Sequence, residues 1–276
     1  PPTVGIVGVG SMGEAVLAGL LRAGWQADAV RVVVRRSERV PELRERYGIE
    51  PCELAAAAKS DVVVLATKPA QVLPLLDELS PLIDVEAGTI VASLAAGVTI
   101  AAMQRRLGHG VPIVRVMTNT PALVGAGMSV LSGGVHAGEA HVAVVERVMG
   151  AVGGTVRVPE AQQDAAAAVS GSGPAYVFYV VDAMAEGGVL MGLSRSMARE
   201  LAMRTVLGSA TLLLESGEHP VQLREQVTSP AGTTVAALQV LDERGVRAAF
   251  LAAMSAARDR SAEIGGNLDA AQQVEL

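Results

Sequence analysis

The 276-residue chain has a single cysteine, Cys52, and that scarcity closes off two kinds of chemistry. Neither an internal disulfide nor a cysteine zinc site can form, so Cys52 reads as an inert, partly buried thiol. Aromatic residues make up only 2% of the chain and the net charge is −6. Few rings are available to stack bases, and the charge has the wrong sign for a nucleic-acid backbone, so no nucleic-acid partner is expected. Histidine occurs only at His109, His136, His141 and His219, scattered without ligand spacing, and no metal site is expected. Lysine is as rare, with only Lys59 and Lys68, both in the first quarter of the chain. The longest apolar helical stretch, around Ala175–Leu193, carries Asp182 and Glu186, which marks a buried helix and not a membrane span. No signal peptide is expected, and a cytoplasmic protein is expected.

What is plentiful is small and aliphatic. Half the residues are hydrophobic, almost all Ala, Val and Leu, in a chain long enough for two domains with substantial cores. Through residue 160, short β-branched runs alternate with helical patterns. Strands are expected at 4–8, 30–35, 61–66, 89–94 and 112–117, with shorter ones near 128–131 and 155–158. Such alternation implies a parallel, doubly wound sheet, which takes its ligands outside the carboxyl ends of the strands. Beyond residue 160 strand signals vanish and helices are expected at 162–169, 174–191, 195–215, 221–227, 234–244 and 246–264. Gly192, Gly217, Gly245 and Gly265 stand where helix stops belong. The stretch 174–191 is apolar on nearly every face and must be enclosed; about 115 residues of helix are a thin layer for that, so dimerisation through this part is expected.

Two segments carry the chemistry. Residues 4–13, Val-Gly-Ile-Val-Gly-Val-Gly-Ser-Met-Gly, lead an apolar strand into Gly8-x-Gly10-x-x-Gly13 and then an Ala/Leu-rich helix. Placed between strand and helix, the triplet reads as a dinucleotide loop. Gly8 makes the turn, Gly10 lets backbone approach a pyrophosphate, and Gly13 lets helix and strand pack closely. The second strand ends in Arg35-Arg36-Ser37, where an NAD site would carry an acidic residue; guanidinium there suits a 2′-phosphate and points to NADP(H). Ala66-Thr67-Lys68-Pro69 and Met117-Thr-Asn-Thr-Pro121 fall at other strand ends, and Lys68 can reach a cofactor phosphate or ribose. The second segment is Thr228-Ser-Pro-Ala-Gly-Thr-Thr234, a hydroxyl-rich turn opening the helix Val235–Leu241. Alone it is compatible with ordinary N-capping. It is equally a place for a carboxylate or phosphate, because a helix start exposes unpaired N–H groups and the positive end of its dipole. No lysine or cysteine follows residue 160, so a reaction that needs no strong protein acid or nucleophile is expected, and a hydride carrier provides one.

Over nearly its whole length the chain resembles 1-pyrroline-5-carboxylate reductase, the last enzyme of proline biosynthesis. The matching stretches are Ile6–Gly13, Ala66–Pro69, Ala95–Thr99, Arg115–Gly127, Val169–Tyr176, Glu218–Pro220 and the signature region Val227–Asp242. Two residues depart from the family pattern: Thr118 where proline is usual, and Ala231 where glycine is usual. The resemblance implies an N-terminal Rossmann-like domain over 1–160 binding NADPH, with NADH possible. It implies an all-α substrate-binding and dimerisation domain over 161–276. The implied cofactor residues are Gly8, Gly10, Ser11, Met12, Gly13, Arg35, Arg36, Ser37, Thr67, Lys68, Pro69 and Ala96. The implied substrate residues are Glu160, Ser229, Gly232, Thr233 and Thr234: the ring carboxylate rests on the N–H groups of Gly232, Thr233 and Thr234, and the Thr234 hydroxyl bonds the ring nitrogen. A homodimer is implied, and a decamer of five such dimers in the larger assemblies of the family. Two rival readings are a β-hydroxyacid-type dehydrogenase, which would need a lysine after residue 160, and a non-catalytic nucleotide-binding regulator, which would have no use for the Ser229–Thr234 hydroxyls.

Overall fold

The computed structural model describes residues 1–36, 38–108 and 110–273, with side chains to residue 266. Seven strands form one sheet: β1 Val4–Val7, β2 Val30–Val33, β3 Val62–Leu65, β4 Ile90–Ser93, β5 Ile113–Met117, β6 Gly127–Gly133 and β7 Gly153–Arg157. Their order is β2-β1-β3-β4-β5-β6-β7. The chain leaves β1 to one side for β2 and returns past it for β3, which opens a crevice at the carboxyl end of β1. The expected all-parallel sheet needs one correction: β5 and β6 pair antiparallel, while β6 and β7 are again parallel. A run of apolar residues reports burial on both faces; it does not encode strand direction.

Helices between the strands are α1 Ser11–Arg22, α2 Arg39–Tyr47, α3 Leu54–Ala57, α4 Pro69–Leu79, α5 Ile100–Leu107 and α6 Glu139–Gly150. Alternate residues of a strand face opposite sides, and β3 shows it: Val62 and Val64 join one core, Val63 and Leu65 the other. The first core is closed by Val16, Leu17 and Leu20 of α1 and by Val145 and Met149 of α6. The second is closed by Leu73, Leu76 and Leu79 of α4 and Met103 of α5.

After β7 come α7 Gln163–Ala166, a π-helical turn Ala167–Gly171, α8 Gly173–Leu190, α9 Arg195–Ser216, α10 Pro220–Gln226, α11 Thr233–Glu243 and α12 Val246–Gln273. The chain divides into two units, Pro1–Ser172 with Ala257–Leu276, and Gly173–Ala256. Gly192, Gly217 and Gly245 have positive φ where helices end, as a stop requires. Gly265 departs from its expected role. It sits inside α12, and a Cβ there would stand 3.4 Å from the Gly97 carbonyl oxygen, so this glycine serves close packing and not termination.

The second unit buries little of its own apolar surface. Ala185, Ala198 and Ala202 form its only buried cluster among the described residues. Phe178 is 65% exposed, Tyr179 78%, Leu190 89% and Leu214 86%. An apolar surface of this extent marks a protein–protein interface. Among the described residues no helix is long and apolar enough to cross a membrane.

Candidate active site

β1 enters the turn at Gly8, whose φ of +95° is costly for any residue with a side chain. Space forbids one as well: a Cβ would lie 2.8 Å from Thr67 Cγ2. A Cβ on Gly13 would collide with the Gly8 carbonyl, so the first turn of α1 can lie against the end of β1 only as glycine. Gly10 has open space around its Cβ position and caps α1 in extended conformation, with no side chain bonded to the helix start. The N–H groups of the first turn are thereby left for a ligand.

In front of this turn lies a cavity of about 660 Å³ that gathers Gly8, Gly10, Ser11, Arg35, Arg36, Thr67 and Lys68. Thr67 Oγ1 in its wall is buried and has no hydrogen-bond partner. A glycine cradle, an uncapped helix start and an orphaned hydroxyl together fit a dinucleotide. Met12, Gly13, Pro69 and Ala96 are not in the wall: Gly13 lies buried under the loop, Pro69 opens α4, and Ala96 is exposed beyond β4. Ser37 lies outside the described residues. Arg35 and Arg36 are exposed and, among the described residues, form no ion pair.

The sequence reading missed Glu14 and Arg39, both in the cavity wall. Glu14 Oε2 accepts from Arg39 Nη2 at 2.7 Å, and its Oε1 accepts from Arg46 Nη1 at 2.6 Å and from the Tyr47 hydroxyl at 2.8 Å. Arg39 also donates to Glu42 at 2.6 Å. Burial works to raise the Glu14 pKa, but the hydrogen bonds from Arg39 and Tyr47 and the charges of Arg39 and Arg46 outweigh it and hold the carboxyl below its ordinary 4.5. A depressed carboxyl stabilises the fold above its unfolded pKa, and that stability is lost as pH falls through the folded value. Glu14→Gln is therefore expected to cost about 1–2 kcal/mol at neutral pH, the lower part of the range for charge-assisted bonds because the cluster is partly exposed. The variant should also lose stability less steeply than the parent below about pH 4.5. Denaturant titrations across that range check it, and parallel curves for the two proteins would contradict the assignment.

Glu160, expected near the substrate, has structural partners. Its Oε1 accepts from the Ile100 backbone N–H at 2.8 Å, capping α5, and from Arg115 Nη1 at 3.1 Å. It lines a second cavity of about 650 Å³ with Ile100, Gln104 and Gly134. Thr118, the first departure from the family pattern, is buried and its hydroxyl accepts from Ser129 Oγ at 3.0 Å. Beside it, Asn119 donates to the Ser170 carbonyl at 2.9 Å and accepts from the Met128 N–H at 2.9 Å, tying the π-helical turn to the sheet.

In the second unit, the Ser229–Thr234 turn opens α11. Gly232 caps the helix in extended conformation, and no side chain bonds its first turn, so the hydroxyls do not act as an ordinary N-cap. The Gly232 N–H donates to the Ser229 carbonyl at 3.0 Å, which closes the turn ahead of the helix. Gly232 matters by its bareness, since a Cβ there would stand 2.5 Å from Ser229 Oγ.

Ala231, the second departure, has a φ of +57° and is the one non-glycine residue with positive φ among those described. An L-residue held there costs about 1–2 kcal/mol, partly offset by the greater chain entropy of an unfolded glycine. Ala231→Gly is expected to raise the thermal midpoint by about 1–3 °C. A lowered midpoint would show that this turn is not strained.

Residues 160–264 match a family model for pyrroline-5-carboxylate reductase dimerisation, and residues 3–97 match one described as NADP oxidoreductase, coenzyme F420-dependent. The chain is 43% identical to the pyrroline-5-carboxylate reductase of Corynebacterium melassecola, with 95% of this chain and 98% of that protein covered. It is 37% identical to the Escherichia coli enzyme of the same name, over 95% of this chain and 97% of that one. The solved structure of a pyrroline-5-carboxylate reductase from Coxiella burnetii superposes with a TM-score of 0.92 at 36% identity, covering 95% of this chain and 98% of the other. That of the Plasmodium falciparum pyrroline carboxylate reductase, which has NADP bound, gives 0.82 at 25% identity, covering 96% and 98%.

Proposed function

The chain belongs to the pyrroline-5-carboxylate reductase family, and from that premise we propose how its residues divide the work of reducing 1-pyrroline-5-carboxylate to L-proline. A bound nicotinamide cofactor supplies the hydride. Residues of the first unit hold that cofactor: Gly8, Gly10, Ser11, Met12 and Gly13 shape the phosphate site, and Thr67, Lys68, Pro69 and Ala96 form the adjoining strand-end loops. Arg35 and Arg36, with Ser37 after them, set a preference for NADPH over NADH. We assign cofactor binding to 1–160, and substrate binding with dimerisation to 161–276. The exposed apolar surface of α8 and α9 is the face that a second copy covers. A decamer of such dimers is the larger assembly that the resemblance adds.

The uncapped start of α11 carries the substrate reading. Its Thr233 and Thr234 N–H groups face no side-chain acceptor, and a planar ring carboxylate satisfies them where the helix dipole favours negative charge. Ser229 closes the turn over that carboxylate. The Thr234 hydroxyl donates to the ring nitrogen, whose basicity rises as the adjacent carbon is reduced, and it relays a proton from water to that nitrogen. A threonine hydroxyl is too weak an acid to do more. Glu160 belongs to the proposed substrate set by the family resemblance, and its Oε1 is held by Ile100 and Arg115. Holding the imine carbon against the hydride donor supplies about 7–11 kcal/mol of the barrier reduction.

The test is NADPH consumption by purified protein given 1-pyrroline-5-carboxylate, with a 2-hydroxy acid plus NADP+ as control. Turnover with the imine alone is expected. A folded protein that binds NADPH yet leaves the imine untouched would sink the assignment and favour the non-catalytic regulator.

A further inference from the structure

A helix start that receives a diphosphate is a poor place for a carboxylate, yet Glu14 stands in the first turn of α1 and in the wall of the same cavity as Gly8, Gly10 and Ser11. Left bare, its charge would oppose the two phosphates that the turn is shaped to hold. It is not left bare. Arg39 reaches it at 2.7 Å from the start of α2, and Arg46 and Tyr47 reach its other oxygen from the end of α2. Arg39 and Arg46 are seven residues apart, two helical turns, so both lie on the face of α2 that meets α1. Glu42, on the same face, accepts from both arginines and completes a cluster of two acids and two bases.

The two arginines are not equivalent. The Arg46 side chain is 54% exposed, whereas that of Arg39 is 28% exposed and lines the cavity itself. Solvent therefore screens Arg46 more strongly, and most of the neutralisation felt inside the cavity comes from Arg39. Arg35 and Arg36 carry no such partners among the described residues, so their charge remains available to a ligand, while both terminal nitrogens of Arg39 are held by Glu42 and Glu14 and only its buried Nε is without a partner.

We propose that Arg39 is a positioning residue that neutralises Glu14, so that the first turn of α1 accepts the diphosphate shared by NADPH and NADH. The proposal rests on reading this cavity as the dinucleotide site. It separates two tasks within one basic segment. Arg35 and Arg36 distinguish the cofactors by the 2′-phosphate, which only NADPH has. Arg39 acts on the part common to both and so changes affinity without changing preference.

The experiment is direct titration of NADPH and of NADH into the full-length protein without substrate, for the parent, Arg39→Ala, Arg39→Lys and Arg39→Ala/Glu14→Gln, with thermal melts of each. Arg39→Ala is expected to weaken both dinucleotides by the same factor, about tenfold for a unit charge uncovered several ångströms from the phosphates. Arg39→Lys keeps the charge and should keep most of the affinity. The double variant should recover binding to within about twofold of the parent, because the charge that Arg39 masks is gone. A merely structural role would give no recovery, since the double variant lacks more of the cluster than the single one. Loss confined to NADPH would make Arg39 a ligand of the 2′-phosphate and overturn the proposal. Equal loss without recovery would overturn it too. A parent protein that binds neither dinucleotide would remove the cavity reading and this proposal with it, whereas an NADPH-specific loss in an Arg35→Ala/Arg36→Ala control bears on cofactor preference alone.

Discussion

Replacing Arg35 and Arg36 together with alanine is expected to raise the Michaelis constant for NADPH by tenfold or more and to leave that for NADH within about twofold. A charge-assisted hydrogen bond contributes about 1.5–3 kcal/mol, and each 1.4 kcal/mol is a factor of ten, so loss of even one contact to the 2′-phosphate reaches the lower bound. The prediction depends on these guanidinium groups being uncommitted. Both are exposed in the wall of the cavity beyond β2, and neither has an ion-pair partner among the described residues. Their neighbours are spoken for: Arg39 and Arg46 hold Glu14 and Glu42, and Arg44 holds Glu50 at 2.7 Å. An exposed arginine with no ligand contributes about 0–1 kcal/mol to anything. An unchanged NADPH-to-NADH ratio in the double variant would therefore reduce the pair to surface charge.

The parts of the molecule that were legible in the sequence are those that local pattern determines. Val62–Leu65 is four consecutive residues, three of them β-branched, a short run that suits a strand covered on both faces. Gly8 and Gly13 read correctly as turn and close packing because strand–loop–helix context leaves glycine few other roles. What escaped were relations between distant residues. Glu14 meets its partners 25, 32 and 33 residues away, and nothing in the spacing of an exposed-looking helix reveals which acid faces it. Gly265 looks like a stop because sequence cannot distinguish a glycine that needs positive φ from one that lets two backbones approach. The antiparallel step at β6 escaped for the reason that side-chain burial is blind to strand direction. Ala231 was visible as a departure, but the sign of its φ, and hence its strain, is a property of the folded turn.

Thr234→Ala is expected to lower turnover by about a hundredfold or more, the range found when one preorganised donor to a developing charge is removed, while NADPH affinity and dimer mass stay as in the parent. The division of effects follows from where Thr234 stands. It is the second residue of α11, beyond a glycine cap with no side-chain bond, and among the described residues its hydroxyl makes no hydrogen bond that would brace the fold. The loss should therefore fall on chemistry and not on stability. By contrast, Thr228 in the same turn donates to the Arg224 carbonyl at 2.5 Å, and its removal should cost stability before activity. Thr234→Ser keeps the hydroxyl and drops only a methyl group, so it should restore turnover to within about tenfold of the parent. If the alanine variant turned over imine at the parental rate, the ring nitrogen would have to take its proton from water unaided. The hydroxyl-rich turn would then hold the substrate carboxylate and nothing more. If both variants failed alike, the lost element would be the packing of the methyl group, and the hydroxyl would have no part in the reaction.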